Sequence, residues 1–435
     1  MKTILLCLLL SFNAHASFPE FFGSGASTSS LGNQANRNIL DPANSYYAPA
    51  FAAWAKKISI SAQTAVAAPS FNEITGIVTE NSTNGQSGSA TETGNANTTY
   101  DESFNTAIHF LLPLKEDTAG ALAISVFAPI GRFAETNSGD PRLPEYSLYR
   151  ARYRRTQIHF NYGLPLGERW AVSLGAHVGF QASARVNTQV SLSNNYGSSG
   201  SAKTKINPSL GGILSVAYNG DNHLSYFTFQ QEMKSNIEAV ATGEITDPSI
   251  SLINVGLDNM VYYDPHIIRI GTIHKFSSFD LALSLEYQMW ESYKAPIITV
   301  KNLGGSVRAS DNYESLTIRN TINPKIGLSY ALADHIRLNT GLFYRPTPFD
   351  GDFSGAGNTI DTDAVGASTG LTYGFKLFNK DIELSGALQY HHLFEETVTK
   401  TANQENGSAG QKIGAPGYTI GGHVLMVMGG IKVDF

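Results

Sequence analysis

"FDLALSLEYQM", Phe279 to Met289, alternates without a break. Phe279, Leu281, Leu283, Leu285, Tyr287 and Met289 make one set; Asp280, Ala282, Ser284, Glu286 and Gln288 make the other. Successive side chains of a strand point to opposite faces, so this is a ribbon greasy on one side and polar on the other. The same pattern recurs from Trp170 to Phe180, where Trp170, Val172, Leu174, Ala176, Val178 and Phe180 oppose Ala171, Ser173, Gly175, His177 and Gly179. It recurs again where Ile382, Leu384, Leu388 and Tyr390 oppose Glu383, Ser385, Gln389 and His391. Strands of a soluble sandwich also alternate. Here the apolar faces run for about ten residues, the length of a tilted membrane strand. Many end on aromatics (Trp170, Phe104 with Phe110, Tyr330, Tyr344), as interfacial girdles require. The fold class expected is all-β: a membrane-spanning antiparallel barrel.

The connections alternate in length. Short turns are expected near Pro165–Arg169, Asn219–Asn222, Ser277–Asp280, Ala333–His335 and Asn379–Asp381, with another at Lys115–Thr118. Between them lie polar loops at Ser70–Tyr100, Pro129–Ser147, Leu192–Lys203, Ser235–Asp264, Ala295–Tyr313, Pro346–Asp361 and Thr397–Gly417. Short turns on one rim and long loops on the other are the outer-membrane pattern, and the spacing gives about 14 strands. The last runs from Thr419 to Phe435, with Leu425, Val427, Ile431, Val433 and Phe435 on one face. A terminal strand ending on an aromatic suits delivery to the barrel assembly machinery. An open sheet edge in hydrocarbon would leave peptide groups unsatisfied, so the first strand, about Lys56–Ala67, must pair with the last.

Composition agrees. Charged residues are 15% of the chain, with 41 Gly, 20 Tyr and 23 Phe; soluble domains carry roughly 25% charge. The net charge of −6 and the absence of a basic run give no nucleic-acid partner. Met1-Lys2, the apolar run Ile4 to Phe12 and Ala14-His15-Ala16 read as a signal peptide cleaved after Ala16. The only cysteine, Cys7, falls inside it. The expected division is therefore a signal peptide (1–16), an N-terminal segment (17–55) and the barrel (56–435). The segment is small-residue-rich and carries Phe18, Phe21, Phe22, Tyr46, Tyr47, Phe51 and Trp54. A lumen of this size is too wide for wall side chains to fill, so the segment is read as a plug inside it.

Three stretches carry a resemblance to a known family. They are "GSGASTSSLGNQANRNILDPANSYYAPAFAA" (Gly23–Ala53), "DPHIIRIGTIHKFSSFDLALSLEYQMWESY" (Asp264–Tyr293) and "RNTINPKIGLSYALADHIRLNTGLFYRPTPFDGDF" (Arg319–Phe353). In order and spacing the chain resembles the FadL-like outer-membrane long-chain fatty acid transporters, which include importers of aromatic hydrocarbons. The family's Asn-Pro-Ala plug motif is replaced here by Ala48-Pro49-Ala50. The resemblance implies capture of a hydrophobic substrate among the outer loops, passage to a pocket lined partly by the plug's N-terminus, and lateral exit where a strand kinks inward. It implies facilitated diffusion without an energy source. The expected partners are a long-chain fatty acid or other hydrophobic small molecule, and outer-membrane lipids with lipopolysaccharide. The protein is read as a monomer in the bacterial outer membrane, not an enzyme, with no cofactor and no metal.

Candidate site residues follow. Arg269, Arg319, Lys325, Arg337 and Arg345 have inward parity, because on the lipid face each would cost about 2–4 kcal/mol. One reading pairs them with Glu286, Glu383 or the plug; the sharper one gives Arg269, Arg319, Arg337 or Arg345 a fatty acid carboxylate. Phe18, Phe21, Phe22 and Phe51 are the candidate apolar contacts, with packing against the wall as the alternative. Gly366-Ala367-Ser368-Thr369-Gly370 matches G-x-S-x-G but lacks the strand-turn-helix context of a nucleophile elbow. His391 and His392 are adjacent on a strand and cannot chelate together. Asp361-Thr362-Asp363 is read as a solvated turn rather than a cation loop. Arg150, Arg152 and Arg154 either lie against lipopolysaccharide phosphates, the preferred reading, or mark a bulge. The rival functions are a non-transporting receptor or adhesin, and a porin for small polar solutes.

Overall fold

The computed structural model describes residues 18–75, 77–82, 89–96, 100–114, 119–130, 144–149, 155–191, 197–245, 253–295, 299–302, 317–350, 359–399, 412–415 and 417–435. Fourteen strands form the wall. In chain order they are β1 (Ser59–Phe71), β2 (Ser103–Pro113), β3 (Ala121–Pro129), β4 (Gln157–Leu166), β5 (Trp170–Ser191), β6 (Gly197–Asn219) and β7 (His223–Gln230). The second half comprises β8 (His266–Lys275), β9 (Phe279–Met289), β10 (Thr321–Ala333), β11 (Ile336–Arg345), β12 (Ala364–Leu377), β13 (Lys380–Thr399) and β14 (Gly417–Asp434). Each pairs antiparallel with its neighbours, and β1 closes on β14 with Ser59 opposite Asp434 and Phe71 opposite Gly422. The barrel is shut, as hydrocarbon demands of any sheet that crosses it.

Side-chain alternation sets the two faces. Leu174, Leu214, Phe227, Ile270, Leu285, Ile326, Leu342, Leu371 and Val427 are exposed on the outside. Gln63, His109, Ser125, His159, Asn161, Thr228, Arg269, Glu286, Asn339, Ser368 and Gln389 are buried on the inside. No helix among the described residues is long and apolar enough to cross a membrane.

Short turns close the hairpins β4–β5, β6–β7, β8–β9, β10–β11 and β12–β13, near the expected places. The expected turn at Lys115–Thr118 lies outside the described residues. Two expected loops are strand instead. Most of Leu192–Lys203 belongs to β6, in a long hairpin with β5 that pairs Ser191 with Gly197. Ser235–Asp264 is largely a second hairpin, Met233–Ile245 with Ile253–Asp264. The difference has a physical cause: the polar composition of Leu192–Lys203 and Ser235–Asp264 reads as loop, but strands with no lipid to face need no apolar face.

This second hairpin leaves the wall. The Gln231 amide still donates to Gly212 O of β6 (2.8 Å), and the chain then steps to the inner side, where His177 Nε2 donates to Gln231 O (2.7 Å). Met233 then lies over Gly179, where an added Cβ would fall 2.7 Å from Met233 Sδ. Beyond the step, Met233–Ile245 runs parallel to β5, with Ile237 opposite Ala182. Small sheets elsewhere join Ile77–Ser82, Ser89–Gly94 and Lys412–Ala415, and Thr317–Ile318 with Phe349–Asp350.

Candidate functional site

The N-terminal segment lies against the inner wall. It forms two short helices, α1 (Phe18–Phe22) and α2 (Ala26–Ser29), then two 3₁₀ turns, Pro42–Tyr46 and Pro49–Trp54. Both 3₁₀ turns begin on proline, whose fixed φ and missing N–H suit a first helical position. Asp41 caps the first, accepting from the Ala43 amide (3.0 Å), and also takes the Ser27 hydroxyl and Asn36 Nδ2.

From α2 to Asn33 the segment is hydrogen-bonded to wall side chains. Gln389 Nε2 lies 2.8 Å from Ser29 O and 2.6 Å from Asn33 Oδ1. Ser368 Oγ donates to Ser30 O (2.9 Å), and Asn339 Nδ2 to Ser30 Oγ (3.1 Å). The chain reverses at Gly32 and Asn33 with φ of 80° and 60°, a conformation open mainly to Gly and Asn. The turn presses so close to β11 that a Cβ on Gly341 would lie 2.3 Å from Gly32 N.

Pro49–Trp54 is held differently. Ala48, Pro49 and Ala50 are buried. Phe51 packs on Trp54 and Tyr226, ring centroids 6.0 and 5.7 Å apart. A Cβ on Gly163 would fall 2.7 Å from Ala53 N. Ala48 has no polar side chain; its amide donates to Asn44 O (2.8 Å), and Asn44 Nδ2 in turn donates to Asn36 O (3.1 Å) and Asn38 O (2.9 Å).

A charged node joins these parts. Glu286 accepts from Arg269 Nε (2.7 Å), Lys325 Nζ (3.2 Å) and Gln288 Nε2 (2.6 Å). Gln288 also donates to Glu20 of α1 (2.9 Å) and accepts from Trp290 Nε1 (2.9 Å). Lys325 donates to Asn33 O (3.0 Å), and the Arg269 guanidinium sits 4.6 Å over the Tyr46 ring. One carboxylate thus ties three points of the segment to β8, β9 and β10. Burial raises the Tyr47 phenol well above its ordinary value, so it stays neutral beside the node and accepts from the Ser24 amide (3.2 Å).

The structure brings some of the predicted residues together. Arg345 makes two bonds to Asp361 (2.7 and 3.0 Å), one to Tyr149 OH (2.8 Å), and stacks 5.1 Å over Phe21. Phe22 packs on Phe18 (4.8 Å) and His391 (5.1 Å). Phe18, Phe21, Phe22 and Arg345 therefore form one cluster, roofed by the stacked pair Phe71–Tyr146 (4.0 Å). Arg269 stands apart in the node, and Phe51 on the far wall. Arg337 reaches Asp280 (2.6 Å) near the short-turn rim, and Arg319 reaches Asp363 (3.2 Å) beside the Thr317–Ile318 strand. Arg155 is buried on Asp264.

Other readings resolve on geometry. Ser368 is occupied with the carbonyls of Ser30 and Gly341. His391 is buried and His392 exposed, on opposite faces. Asp361–Asp363 is not a solvated turn: Asp361 is fully buried on Arg345, and Asp363 takes Arg319, Tyr344 and the Thr347 amide. No group of three or more His, Cys, Asp or Glu that could hold a metal occurs among the described residues. Arg150, Arg152 and Arg154, and Ala14 and Ala16, lie outside those residues. Sequence reasoning missed Gln389 and Gln288 as anchors. Their signal was an inward-parity amide amid small residues, which alternation alone does not separate from a polar lumen wall.

A closed fourteen-strand barrel, apolar outside and carrying its own N-terminal residues within, is the architecture of outer-membrane channel proteins. The particular fold is the FadL type. The chain is similar to a FadL homologue from Pseudomonas aeruginosa at a TM-score of 0.60 and 13% identity, covering 95% of this chain and 98% of that one. It is similar to the monoaromatic hydrocarbon channel CymD at 0.51 and 12%, covering 95% and 98%, and to a deltaS2 mutant of the TodX monoaromatic hydrocarbon channel at 0.51 and 9%, covering 95% and 99%. At these identities the likeness is one of fold. No protein-family model and no curated protein sequence matches the chain.

Proposed function

We propose that this protein is a bacterial outer-membrane channel that takes up hydrophobic compounds by facilitated diffusion, with residues 17–55 as its plug once a signal peptide of residues 1–16 is removed. One observation carries the reading: the N-terminal segment occupies the inner face of the wall, bonded to β11, β12 and β13 through Asn339, Ser368 and Gln389. A bore filled in this way does not suit an open porin, and a purely adhesive barrel has no need of it. The inward step at Gln231–Met233 is the site we assign to lateral exit, because there the chain turns from the β6 ladder toward the inner side and goes on to run parallel to β5. The partners are the substrate and the surrounding outer-membrane lipids, and the working unit is a monomer.

For substrate class, long-chain fatty acids are favoured by the cluster at Arg345, a cation set among Phe18, Phe21 and Phe22 at the start of the plug. Neutral hydrocarbons are the second reading. It is favoured by the pairing of every candidate cation with an acid: Arg269 and Lys325 with Glu286, Arg319–Asp363, Arg337–Asp280 and Arg345–Asp361. Uptake of labelled oleate and labelled toluene, with and without the gene, tests both. Loss of both on deletion supports the channel, and unchanged uptake of both contradicts it. In Arg345→Leu, the fatty acid reading expects oleate uptake to fall several-fold with toluene unaffected. A large ion conductance of the intact protein in planar bilayers would instead identify a porin.

A further inference from the structure

The outer wall carries a hollow that none of this uses. About 650 Å³ in volume, it is lined on the lipid side by Trp170, Val216, Tyr218, Phe227, Ile270, Leu283 and Leu285, within the roughly 300–1,000 Å³ of small-molecule sites. It exists because two small residues, Ser225 of β7 and Thr272 of β8, face lipid among large ones, and these two are opposite each other in the ladder. Their hydroxyls bond to each other (3.1 Å), and Thr272 Oγ1 also contacts His274 Nε2 (3.2 Å). Polar groups facing hydrocarbon must be satisfied, and these form the floor of an otherwise apolar slot.

One end of the slot is polar, with Arg169 beside the carboxylates of Asp221 and Glu168, and it lies at the short-turn rim. Trp170 packs on Tyr218 (4.8 Å), Tyr218 on His223 (5.5 Å), and His223 stacks on His274 (5.6 Å). Arg169 Nη1 reaches Tyr218 OH (3.3 Å), and its other nitrogen meets Asp221 (3.0 Å) in a pair exposed by 53% and 82%. So exposed a pair is weak, and its guanidinium is free to exchange Asp221 for a phosphate, which it binds through two parallel N–H donors. In an outer-membrane barrel the short turns face the periplasm. The leaflet there is the one whose headgroups reach this rim.

We infer that the hollow is a binding site for an anionic phospholipid of the periplasmic leaflet, with an acyl chain lying over Ser225 and Thr272 and the phosphate on Arg169 beside His223 and His274. The probe is Trp170 fluorescence, since Trp290 is buried inside the barrel and Trp54 is in the N-terminal segment. The intact protein is folded into phosphatidylcholine bilayers containing graded brominated phosphatidylglycerol, or brominated phosphatidylcholine, with Trp170→Phe as background. The site predicts a several-fold preference for phosphatidylglycerol over phosphatidylcholine at Trp170. Arg169→Gln should abolish the preference, and Thr272→Phe, which fills the slot from the lipid side, should lower quenching by both lipids. Unheated gel mobility reports that each variant keeps its folded barrel. Equal quenching by the two lipids in the wild type, or a preference that survives both substitutions, overturns the assignment, whatever the uptake assays give.

Discussion

Two parts of the N-terminal segment touch the same barrel in opposite ways. Residues 26–33 are stitched to β10–β13 by side-chain hydrogen bonds from Lys325, Asn339, Ser368 and Gln389. Pro49–Trp54 is wedged against β4–β7 by shape, with Phe51 on Tyr226 and the Ala53 main chain on Gly163. The contrast extends to the wall. Gln389 is satisfied several times over, whereas His159, whose ring is 5.3 Å from Tyr46, has no hydrogen-bond partner in the protein at either nitrogen. A stitched contact fixes one register and releases when a few bonds fail. A wedged contact tolerates sliding until volume is lost. We read the stitched part as the fixed end of the proposed plug and the wedged part as a fitted contact.

The comparison can be broken in a graded way. Glu286→Ala should have the largest effect, because it leaves Arg269 and Lys325 buried without their carboxylate, at about 3–5 kcal/mol. Both parts of the segment should then gain hydrogen exchange, since the node touches Glu20, Asn33 and Tyr46. Phe51→Ala is expected to cost about 3–5 kcal/mol as a core truncation, with faster exchange confined to residues 46–55. Gly341→Val forces a side chain into the Gly32 amide, at about 1–3 kcal/mol, and should free residues 26–36 alone. Gln389→Ala is expected to cost about 1–3 kcal/mol for the acceptors it strands, in the same region as Gly341→Val. Urea midpoints and peptide-level exchange check all four. If Phe51→Ala loosens residues 26–36 as much as 46–55, the segment moves as one body and the distinction fails.

Much of the wall was legible in the chain. The run Phe279–Met289 gave one strand's faces correctly, with Asp280, Glu286 and Gln288 buried inside and Leu283 and Leu285 exposed to lipid. Alternation encodes facing because a barrel has only two environments. It does not encode what lies above the bilayer. There β5 and β6 continue as polar strands, and Met233–Ile245 pairs parallel to β5, a long-range choice with no local signature. The cost of charge in lipid places Arg269 and Arg345 inward, where both are found, whereas Arg319 lies outside the wall strands and is exposed. Their partners were only partly legible: Glu286 was named for Arg269 and Lys325, but Asp361 for Arg345 sat in a stretch taken for a solvated turn. Gln389 could not be matched, because an amide bonds to main-chain atoms whose positions the sequence does not state.

The seating itself is tested by a cross-link. Ser45 Oγ of the segment and Ser125 Oγ of β3 lie 2.8 Å apart, and Cys7 of the expected leader is the chain's only cysteine. Ser45→Cys with Ser125→Cys, oxidised in intact outer membranes, should form an intramolecular disulfide in a barrel with normal unheated gel mobility. Two free thiols, both labelled by a water-soluble maleimide in that folded barrel, would place the segment outside the bore and contradict the account.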